Sequence, residues 1–225
     1  VLLSGWEAIS TANAVLGFAK PQRTLDEALK PSLTIAILTT IRDENTKDVI
    51  PGKLVLLRSL QHNSQHHFSL HVLSDSTSSA HIEDERRTIR AALPLPVFYR
   101  NRPLNTDFKS GNIRNWVEKQ GAAYDAFISL DADSGLDHST ALLLADSLSS
   151  DPACGLIQTV PVVRSGGTYW QYMQSIASRL YGGLQGQGLS VWMGDEANYY
   201  GHNAIVRTDA FAASAGLPHL KGRRF

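Results

Sequence analysis

Two aspartates, Asp131 and Asp133, directly follow the most apolar predicted strand of the sequence, AFISL at residues 126–130. Two carboxylates at the end of a buried strand cannot both lose water without a compensating charge, which a divalent cation would supply. Hard oxygen ligands suit Mg²⁺ or Mn²⁺, which would share its remaining coordination positions with diphosphate oxygens and water. The pattern therefore predicts a Mg²⁺ or Mn²⁺ site that neutralises a leaving diphosphate. A turn or helix-start role for the two acids is the alternative.

Polar residues also follow other predicted strands. Asp75 lies in a Leu-Ser-Asp-Ser turn, where its carboxylate could accept a hydrogen bond from a nucleobase N–H or a ribose hydroxyl, or could cap the turn. Lys109 and Gly111 come just before a predicted helix, an arrangement that favours an anion, although loop lysines are usually solvated.

The segment Gly201-His202-Asn203 stands between the aromatic pair Tyr199-Tyr200 and an apolar strand candidate. Polar side chains in this position suit a hydroxyl-rich acceptor. A hydrogen-bonded structural role for the histidine and asparagine stays open.

The elements that would position these residues alternate between short apolar runs and helical stretches, which predicts an α/β fold with a mainly parallel sheet flanked by helices. The predicted strands are 33–38, 68–73, 96–99, 126–130 and 155–159, and the predicted helices are 53–61, 79–92, 111–120 and 138–148. Ligands of open α/β sheets bind beyond the carboxyl ends of the strands. Three predicted strands run into acidic residues: the first into Asp43-Glu44, the second into Asp75 and the strand 126–130 into Asp131 and Asp133. If the sheet is parallel, we expect these acids along one edge of it.

The composition is that of a globular chain with one substantial core: 225 residues, 43% of them hydrophobic. The 21 basic and 21 acidic side chains cancel, so no overall field favours nucleic acid as a partner. A single cysteine, Cys154, excludes an internal disulfide framework and fits a reducing compartment. We expect Cys154 in the core.

The ends of the chain indicate a larger protein. Residues 1–19 are mostly apolar and predict either an amphipathic helix or the end of a transmembrane or interfacial helix, followed by a linker at 20–32. Residues 33–225 would then be an incomplete catalytic domain. From Tyr169 a long amphipathic helix is expected, covering a sheet face or lying at a membrane surface, with a flexible glycine-rich end at 182–188. The cluster His62, His66, His67 and His71 lacks a carboxylate partner and does not indicate a metal site.

Six ordered strings, LSDS, KSGNI, LDADS, GLIQT, RLYG and YGHNAIVR, together resemble the glucans biosynthesis glucosyltransferase H family, over residues 33–216. The resemblance implies the GT-A fold of cellulose-synthase-like inverting glycosyltransferases, and transfer of glucose from UDP-glucose to a growing β-glucan of the osmoregulated periplasmic type. It also implies a bacterial inner-membrane protein with a cytoplasmic catalytic domain, membrane helices mostly outside this chain, and a periplasmic glucan-biosynthesis partner protein.

The resemblance implies three groups of site residues, for the donor, the metal and the acceptor. By resemblance, the donor-binding residues are Thr39, Thr40, Asp43, Asp75, Lys109 and Asp131, the metal ligands are Asp131 and Asp133, and the acceptor-binding residues are Gly201, His202 and Asn203. The family more often has Pro where Thr39 stands and Asn-Glu where Arg42 and Asp43 stand.

The family's catalytic base is an aspartate in a His-Asp or Glu-Asp motif after the Gly-His-Asn segment, and an Arg-Trp motif follows it. The nearby acids Asp195, Glu196 and Asp209 do not match that motif, and the sequence ends at Phe225. An inverting transfer needs a base to accept the proton of the attacking hydroxyl. We therefore expect the base after Phe225, and we expect these 225 residues to bind donor poorly or not at all and not to catalyse transfer.

Two other functions remain open from the sequence. The chain could be a non-catalytic nucleotide-sugar-binding domain, which would lack the base and Arg-Trp motifs throughout its reading frame. It could also be a sugar-phosphate nucleotidyltransferase, but the segment from Thr39 to Glu44 has no glycine-rich, basic phosphate loop.

Overall fold

The computed structural model describes residue 12 and residues 31–164, 166–194 and 199–214. The chain divides into a helical unit, residues 1–25 and 159–200, and a sheet unit, residues 26–158 and 201–225. Except for residue 12, the helix expected at 1–19 lies outside the described residues, as does most of the linker expected at 20–32. Both stay predictions.

The described part of the sheet unit contains a six-stranded sheet with the order β3-β2-β1-β4-β6-β5. Its strands are β1 (Thr34–Ile41), β2 (His67–Ser74), β3 (Val97–Asn101), β4 (Ala126–Leu130), β5 (Leu156–Gln158) and β6 (Ala204–Arg207). The pairs β1/β2, β1/β4 and β2/β3 are parallel, whereas β6 runs antiparallel to both β4 and β5. The mainly parallel α/β sheet predicted from the sequence is confirmed.

The helices of the sheet unit connect its parallel strands. They are α1 (Thr46–His62), α2 (Ser79–Arg90), α3 (Phe108–Gln120), α4 (His138–Ser150) and, after β6, α6 (Thr208–Ser214). The chain proceeds from β1 through β2 to β3 and then crosses back to β4 on the other side of β1. The direction of winding therefore reverses between β1 and β4, and the ends of these two strands form the crevice where open α/β sheets bind ligands.

The central strands are almost fully buried, as expected of a parallel sheet that is covered on both faces. Ile35, Ile37 and Phe127 are 0% exposed. Helix α1 begins at an asparagine cap, since the Asn45 side chain accepts from the backbone N–H of Lys47. Rigid central strands thus carry the residues that follow them.

The cysteine expected in the core lies at its border instead. Cys154 is only partly buried and packs against the core cluster, and its thiol contacts the carbonyl of Leu156 at 3.4 Å. It precedes β5, which is one of the two edge strands of the sheet, so fewer neighbours cover it than cover the central strands.

Helix α3 begins three residues earlier than predicted, at Phe108, so Lys109 lies in its first turn and not in a loop before it. A Cβ at Gly111 would stand 2.1 Å from the carbonyl oxygen of Thr106. The glycine is needed because the preceding loop crosses the helix too closely for any side chain.

The helical unit contains α5 (Tyr169–Met193), which opens with a capping box between Thr168 and Gln171. The flexible end predicted at residues 182–188 is wrong, because the helix continues through these glycines. A Cβ at Gly186 would stand 2.2 Å from the Val160 side chain, so this position allows the segment before the helix to pack against it. Among the described residues, none of the helices is both long and apolar enough to cross a membrane.

Candidate active site

An open cleft of about 630 Å³ lies at the ends of β1 and β4, where the winding of the sheet reverses. It is lined by Thr40, Glu44, Asp48, Val49, Asp131, Ala132 and Asp133. The register pairs Thr39 with Leu130, which brings the following residues Thr40 and Asp131 side by side. The structure thus brings together three sequence-predicted residues, Thr40, Asp131 and Asp133, in one cleft.

Two further acids of the cleft, Glu44 and Asp48, were not predicted as site residues. Glu44 ends the acidic segment after β1, and Asp48 is in the first turn of α1. The signal that could have found them is the crossover after β1, because the helix that follows the first strand starts beside the switch point. Four carboxylates therefore line one cleft, and Lys109 pairs with one of them, Asp131.

Lys109 connects the predicted donor and acceptor parts of the site. Its ammonium group contacts the carboxylate of Asp131 and donates to the carbonyl oxygen of Gly201 at 2.7 Å. The hydroxyl of Ser129 donates to the same carbonyl at 3.1 Å. About a third of each side chain in the Lys109–Asp131 pair is exposed. Solvent and ligands can therefore reach both charges.

The turn at residues 201–203 has a left-handed backbone that directs its carbonyl groups inward. Gly201 has φ of 88° and Asn203 has φ of 51°. The backbone N–H of Asn203 donates to the backbone carbonyl of Ser129 at 2.7 Å, and the side-chain amide of Gln158 donates to the carbonyl of His202 at 2.8 Å. Within the described residues, the buried Nδ1 of His202 has no hydrogen-bond partner. A hydroxyl-bearing ligand could satisfy this nitrogen.

Asp75 is held by an arginine that was not predicted. Arg102 donates from Nε and Nη2 to the two carboxylate oxygens of Asp75, at 2.7 and 2.8 Å. Asp75 is 6% exposed. The same guanidinium donates to the carbonyls of Thr106 and Phe108, so it also holds the loop that leads to Lys109. The signal for Arg102 was its position directly after β3, beside the strand that Asp75 follows.

Asp43 and Thr39, which were predicted to line the nucleotide pocket, form hydrogen bonds with other residues of the protein. The Asp43 carboxylate accepts the N–H groups of Ser78 and Thr77 and the Thr77 hydroxyl, at 3.1–3.2 Å. The Ser78 N–H is the largest cause of the lowered pKa of Asp43. Thr39 is 0% exposed, and its hydroxyl donates to the carbonyl of Leu130 at 3.3 Å. In this structure Asp43 joins the loops after β1 and β2, and Thr39 ties β1 to β4.

Lys53 was not predicted as a site residue, yet it contacts the backbone of the turn that carries Asp131 and Asp133. This α1 residue is 4% exposed. Its ammonium group donates to the backbone carbonyl of Ala132 at 2.8 Å and to those of Ser134 and Val49 at 3.3 Å. Burial lowers the pKa of Lys53 to about 8, while the nearby carboxylates of Asp133, Asp131 and Glu44 favour the charged form.

Of the four clustered histidines, His66 and His71 are buried and hydrogen-bonded within the protein, whereas His62 and His67 are exposed. Within the part of the chain that the structure describes, no group of three or more His, Cys, Asp or Glu side chains forms a metal site. His66 lies between the N–H of Leu33 and the carboxylate of Asp146, at 3.1 and 3.0 Å. The expectation that the cluster lacks a carboxylate partner is therefore wrong, because α4 brings Asp146 beside His66 from 80 positions further along the chain.

The catalytic base expected after Phe225 lies outside the described residues, as does Phe225 itself. The expectation therefore stays a prediction. Of the three nearby acids, Asp209 is in the first turn of α6 and accepts the N–H of Ala210 at 2.7 Å. The other two, residues 195 and 196, are not described.

The chain is similar along its whole length to curated glucosyltransferases. It is 39% identical over 240 residues to glucans biosynthesis glucosyltransferase H of Xanthomonas campestris pv. campestris, covering 100% of this chain and 37% of that protein. Proteins of the same name from Rhodopseudomonas palustris and Vibrio cholerae are 37% and 34% identical, covering 99% and 97% of this chain and 32% of each relative. The chain thus spans about a third of the length of these relatives. No family model matches the sequence.

The fold is shared with a solved glycosyltransferase. A mannosyltransferase from Pyrobaculum calidifontis, in complex with GDP-Man and Mn²⁺, superposes with a TM-score of 0.64 at 14% identity, covering 95% of this chain and 55% of that chain. The GT-A fold predicted from the sequence is confirmed.

Proposed function

The chain is homologous over its whole length to part of the glucans biosynthesis glucosyltransferase H proteins, and on this premise we propose that it forms the donor-binding part of a glucosyltransferase. The donor is UDP-glucose, the acceptor is a growing β-glucan, and transfer inverts the configuration at the anomeric carbon. The observation that carries this proposal is the position of Thr40, Asp131 and Asp133 in one cleft at the switch point of the sheet.

The residues of this cleft fit a divalent cation. Asp131 and Asp133 supply hard carboxylate oxygens, and the anionic lining with Glu44 and Asp48 favours a cation over an anion. Two protein carboxylates leave coordination positions for diphosphate oxygens and water, as expected of Mg²⁺ or Mn²⁺. When bound, the ion supplies charge neutralisation to the leaving diphosphate.

Lys109 supports the donor side of the site. Its ammonium group already lies between the Asp131 carboxylate and the Gly201 carbonyl, so a diphosphate bound at Asp131 would meet a second positive charge there. This contact also joins the donor side to the 201–203 turn, where the acceptor glucose binds in our proposal. Thr40 lines the cleft beside Asp131 and can donate its hydroxyl to a phosphate oxygen.

The nucleotide side of the site depends on the Arg102–Asp75 pair. Both oxygens of Asp75 accept from Arg102, but each carboxylate oxygen has a second lone pair that can accept a uracil N–H or a ribose hydroxyl. Asp43 contributes by joining the loops after β1 and β2, and Thr39 by tying β1 to β4.

Two further parts of the proposal rest on homology. The enzyme is placed at the bacterial inner membrane with this unit on the cytoplasmic side, where UDP-glucose would be available, and with a periplasmic partner protein for the glucan. We also propose that the 225-residue chain itself does not transfer glucose, because the acids near the acceptor turn, Asp195, Glu196 and Asp209, do not match the family's base motif. Measurable transfer from UDP-glucose by this chain would contradict the second statement.

The experiment for the proposed function is glucan synthesis by the full-length gene product carrying Asp133→Ala. We expect polymer synthesis from UDP-glucose to be abolished while the protein is still produced and inserted. The matched control is Glu83→Gln, which changes an exposed acid of α2 and should keep normal synthesis. Synthesis retained by the Asp133→Ala protein would refute the assignment of the cleft.

A further inference from the structure

Lys53 differs from the other lysines in its surroundings. Of the four lysines within the described residues, it is the one whose side chain is buried, and it points from α1 toward the end of β4. Lysine is almost never fully buried unless its charge has partners, because removing an ammonium group from water is costly. A buried lysine beside a proposed catalytic cleft therefore needs an explanation.

All three N–H donors of the Lys53 ammonium group have acceptors, and all three acceptors are backbone carbonyls. Val49 is in the preceding turn of the same helix, and its contact of 3.3 Å fixes the direction of the side chain. The other two acceptors, Ala132 at 2.8 Å and Ser134 at 3.3 Å, belong to the turn that carries the two aspartates. Lys53 thus connects a rigid helix to that turn.

The turn has little other support. Residues 131–134 belong to no helix or strand, so no ladder of backbone hydrogen bonds holds them. Within the turn, the N–H of Ser134 donates to the carbonyl of Asp131 at 3.2 Å. The carbonyls of Ala132 and Ser134 are directed to Lys53, while the carboxyl-bearing residues between and before them line the cleft. Lys53 is not among the residues that line the cleft, so it holds the turn through the turn's backbone carbonyls.

We propose that Lys53 is a positioning residue for the metal site, because its hydrogen bonds to Ala132 and Ser134 fix the backbone that presents Asp131 and Asp133 to the cation. This inference rests on the proposed function, which assigns the two aspartates to the metal. Groups that orient metal ligands without touching the ion typically contribute about 10- to 100-fold to metal affinity. The chain reaches this effect through carbonyl contacts, not through a hydrogen bond to the carboxylates themselves.

The electrostatic effect of Lys53 on a cation is opposite in sign to its positioning effect. As a nearby positive charge, Lys53 repels a divalent cation, so a variant that only lost the charge would bind the metal more tightly. A variant that lost the positioning contacts would bind it more weakly. The direction of the change therefore separates the two roles.

The test measures Mn²⁺ binding by the full-length gene product in the presence of UDP, followed by electron paramagnetic resonance of free Mn²⁺. Lys53→Met keeps the length of the side chain but removes its donors and charge, and we expect its affinity for Mn²⁺ to fall by about tenfold or more. Lys47→Met is the matched control, because it removes an exposed lysine from the same helix. Its affinity should be unchanged or slightly higher.

Two additional variants make each outcome decisive. Asp133→Ala should lose the Mn²⁺ site. If this variant binds Mn²⁺ as the wild type does, the assignment of Asp131 and Asp133 to the metal is wrong, and the role of Lys53 is wrong with it. Lys53→Gln retains an amide donor and should recover part of the affinity, which also serves as the measurement if Lys53→Met does not fold. If Asp133→Ala loses binding but both Lys53 variants bind as tightly as the wild type or more tightly, the positioning role is wrong.

Discussion

Arg102 holds both carboxylate oxygens of Asp75 in a parallel pair of hydrogen bonds, at 2.7 and 2.8 Å, with both side chains less than a tenth exposed. The planar guanidinium group matches the carboxylate in a way that a lysine ammonium group cannot. Because Arg102 also holds the loop before Lys109, this pair links the nucleotide and diphosphate sides of the proposed site.

The first prediction concerns removal of this partner. Arg102→Met leaves a buried carboxylate unpaired at Asp75, and we expect the free energy of unfolding to fall by about 3–5 kcal/mol. Urea denaturation followed by circular dichroism measures it. Arg114→Met is the control, since Arg114 pairs with Glu118 on an exposed helix surface and should change stability by less than about 1 kcal/mol. Equal effects of the two substitutions would contradict the structural role of Arg102.

The second prediction concerns Gly201, whose φ of 88° is unfavourable for any residue with a Cβ. Gly201→Ala should lower the free energy of unfolding by about 1–2 kcal/mol and displace the carbonyl that Lys109 contacts. Gly52→Ala is the control, because Gly52 is in the interior of α1 with nothing within 4 Å of its added Cβ. It should stabilise the protein by about 0.5–1 kcal/mol. Thermal unfolding of the two variants should therefore shift in opposite directions.

The third prediction is a pH dependence that arises from His71. Burial lowers the pKa of His71 from 6.5 to about 4, and Trp116 donates to its Nδ1 at 3.1 Å while its Nε2 is 2.8 Å from the Tyr124 hydroxyl. The unfolded chain takes up a proton at this residue below pH 6.5, whereas the folded chain does so only near pH 4. Stability should therefore fall as the pH decreases through this window, by roughly 1.4 kcal/mol per pH unit.

The variant that checks this dependence is His71→Gln, which keeps a donor and an acceptor but does not titrate. Urea unfolding between pH 7 and pH 5 should give a smaller slope for the variant than for the wild type. The same slope for both proteins would assign the pH dependence to other groups.

The fourth prediction is that Lys109 has opposite effects on the binding of Mn²⁺ and of UDP. Because its ammonium group contacts Asp131, a proposed metal ligand, Lys109→Met should bind Mn²⁺ more tightly in the absence of nucleotide. The same variant should bind UDP more weakly, since it lacks the second positive charge beside the diphosphate. Titrations of the full-length gene product with each ligand measure both effects. A loss of affinity for both ligands would indicate that Lys109 maintains the structure of the site instead.

The strands and the acids that follow them could be predicted because parallel, buried strands are encoded locally as continuous apolar runs. Asp131 and Asp133 were found for this reason. Thr40 was assigned by resemblance after the predicted strand 33–38, and in the structure it lies within β1, which continues to Ile41. The glycines at 182–188 were interpreted wrongly because local propensity favours a helix end, whereas packing at Gly186 against Val160 allows the helix to continue.

Lys53 and Arg102 could not be recognised because their roles depend on contacts distant in sequence. A lysine in a helix usually predicts a solvated surface, and only the pairing of β1 with β4 brings Lys53 into contact with residues 79 and 81 positions away. Arg102 pairs with a carboxylate 27 positions earlier, which becomes its neighbour only when β2 and β3 align. Sequence patterns identify residues at strand ends, but not which of them meet.

The most direct measurement of the central claim is Mn²⁺-dependent binding of UDP to the full-length gene product, by isothermal titration calorimetry. We predict that the wild type and the Glu83→Gln control bind UDP when Mn²⁺ is present, and that chelation of the metal or the Asp133→Ala substitution removes this binding. UDP binding by the Asp133→Ala protein with the affinity of the wild type would show that the cleft at β1 and β4 is not the donor site.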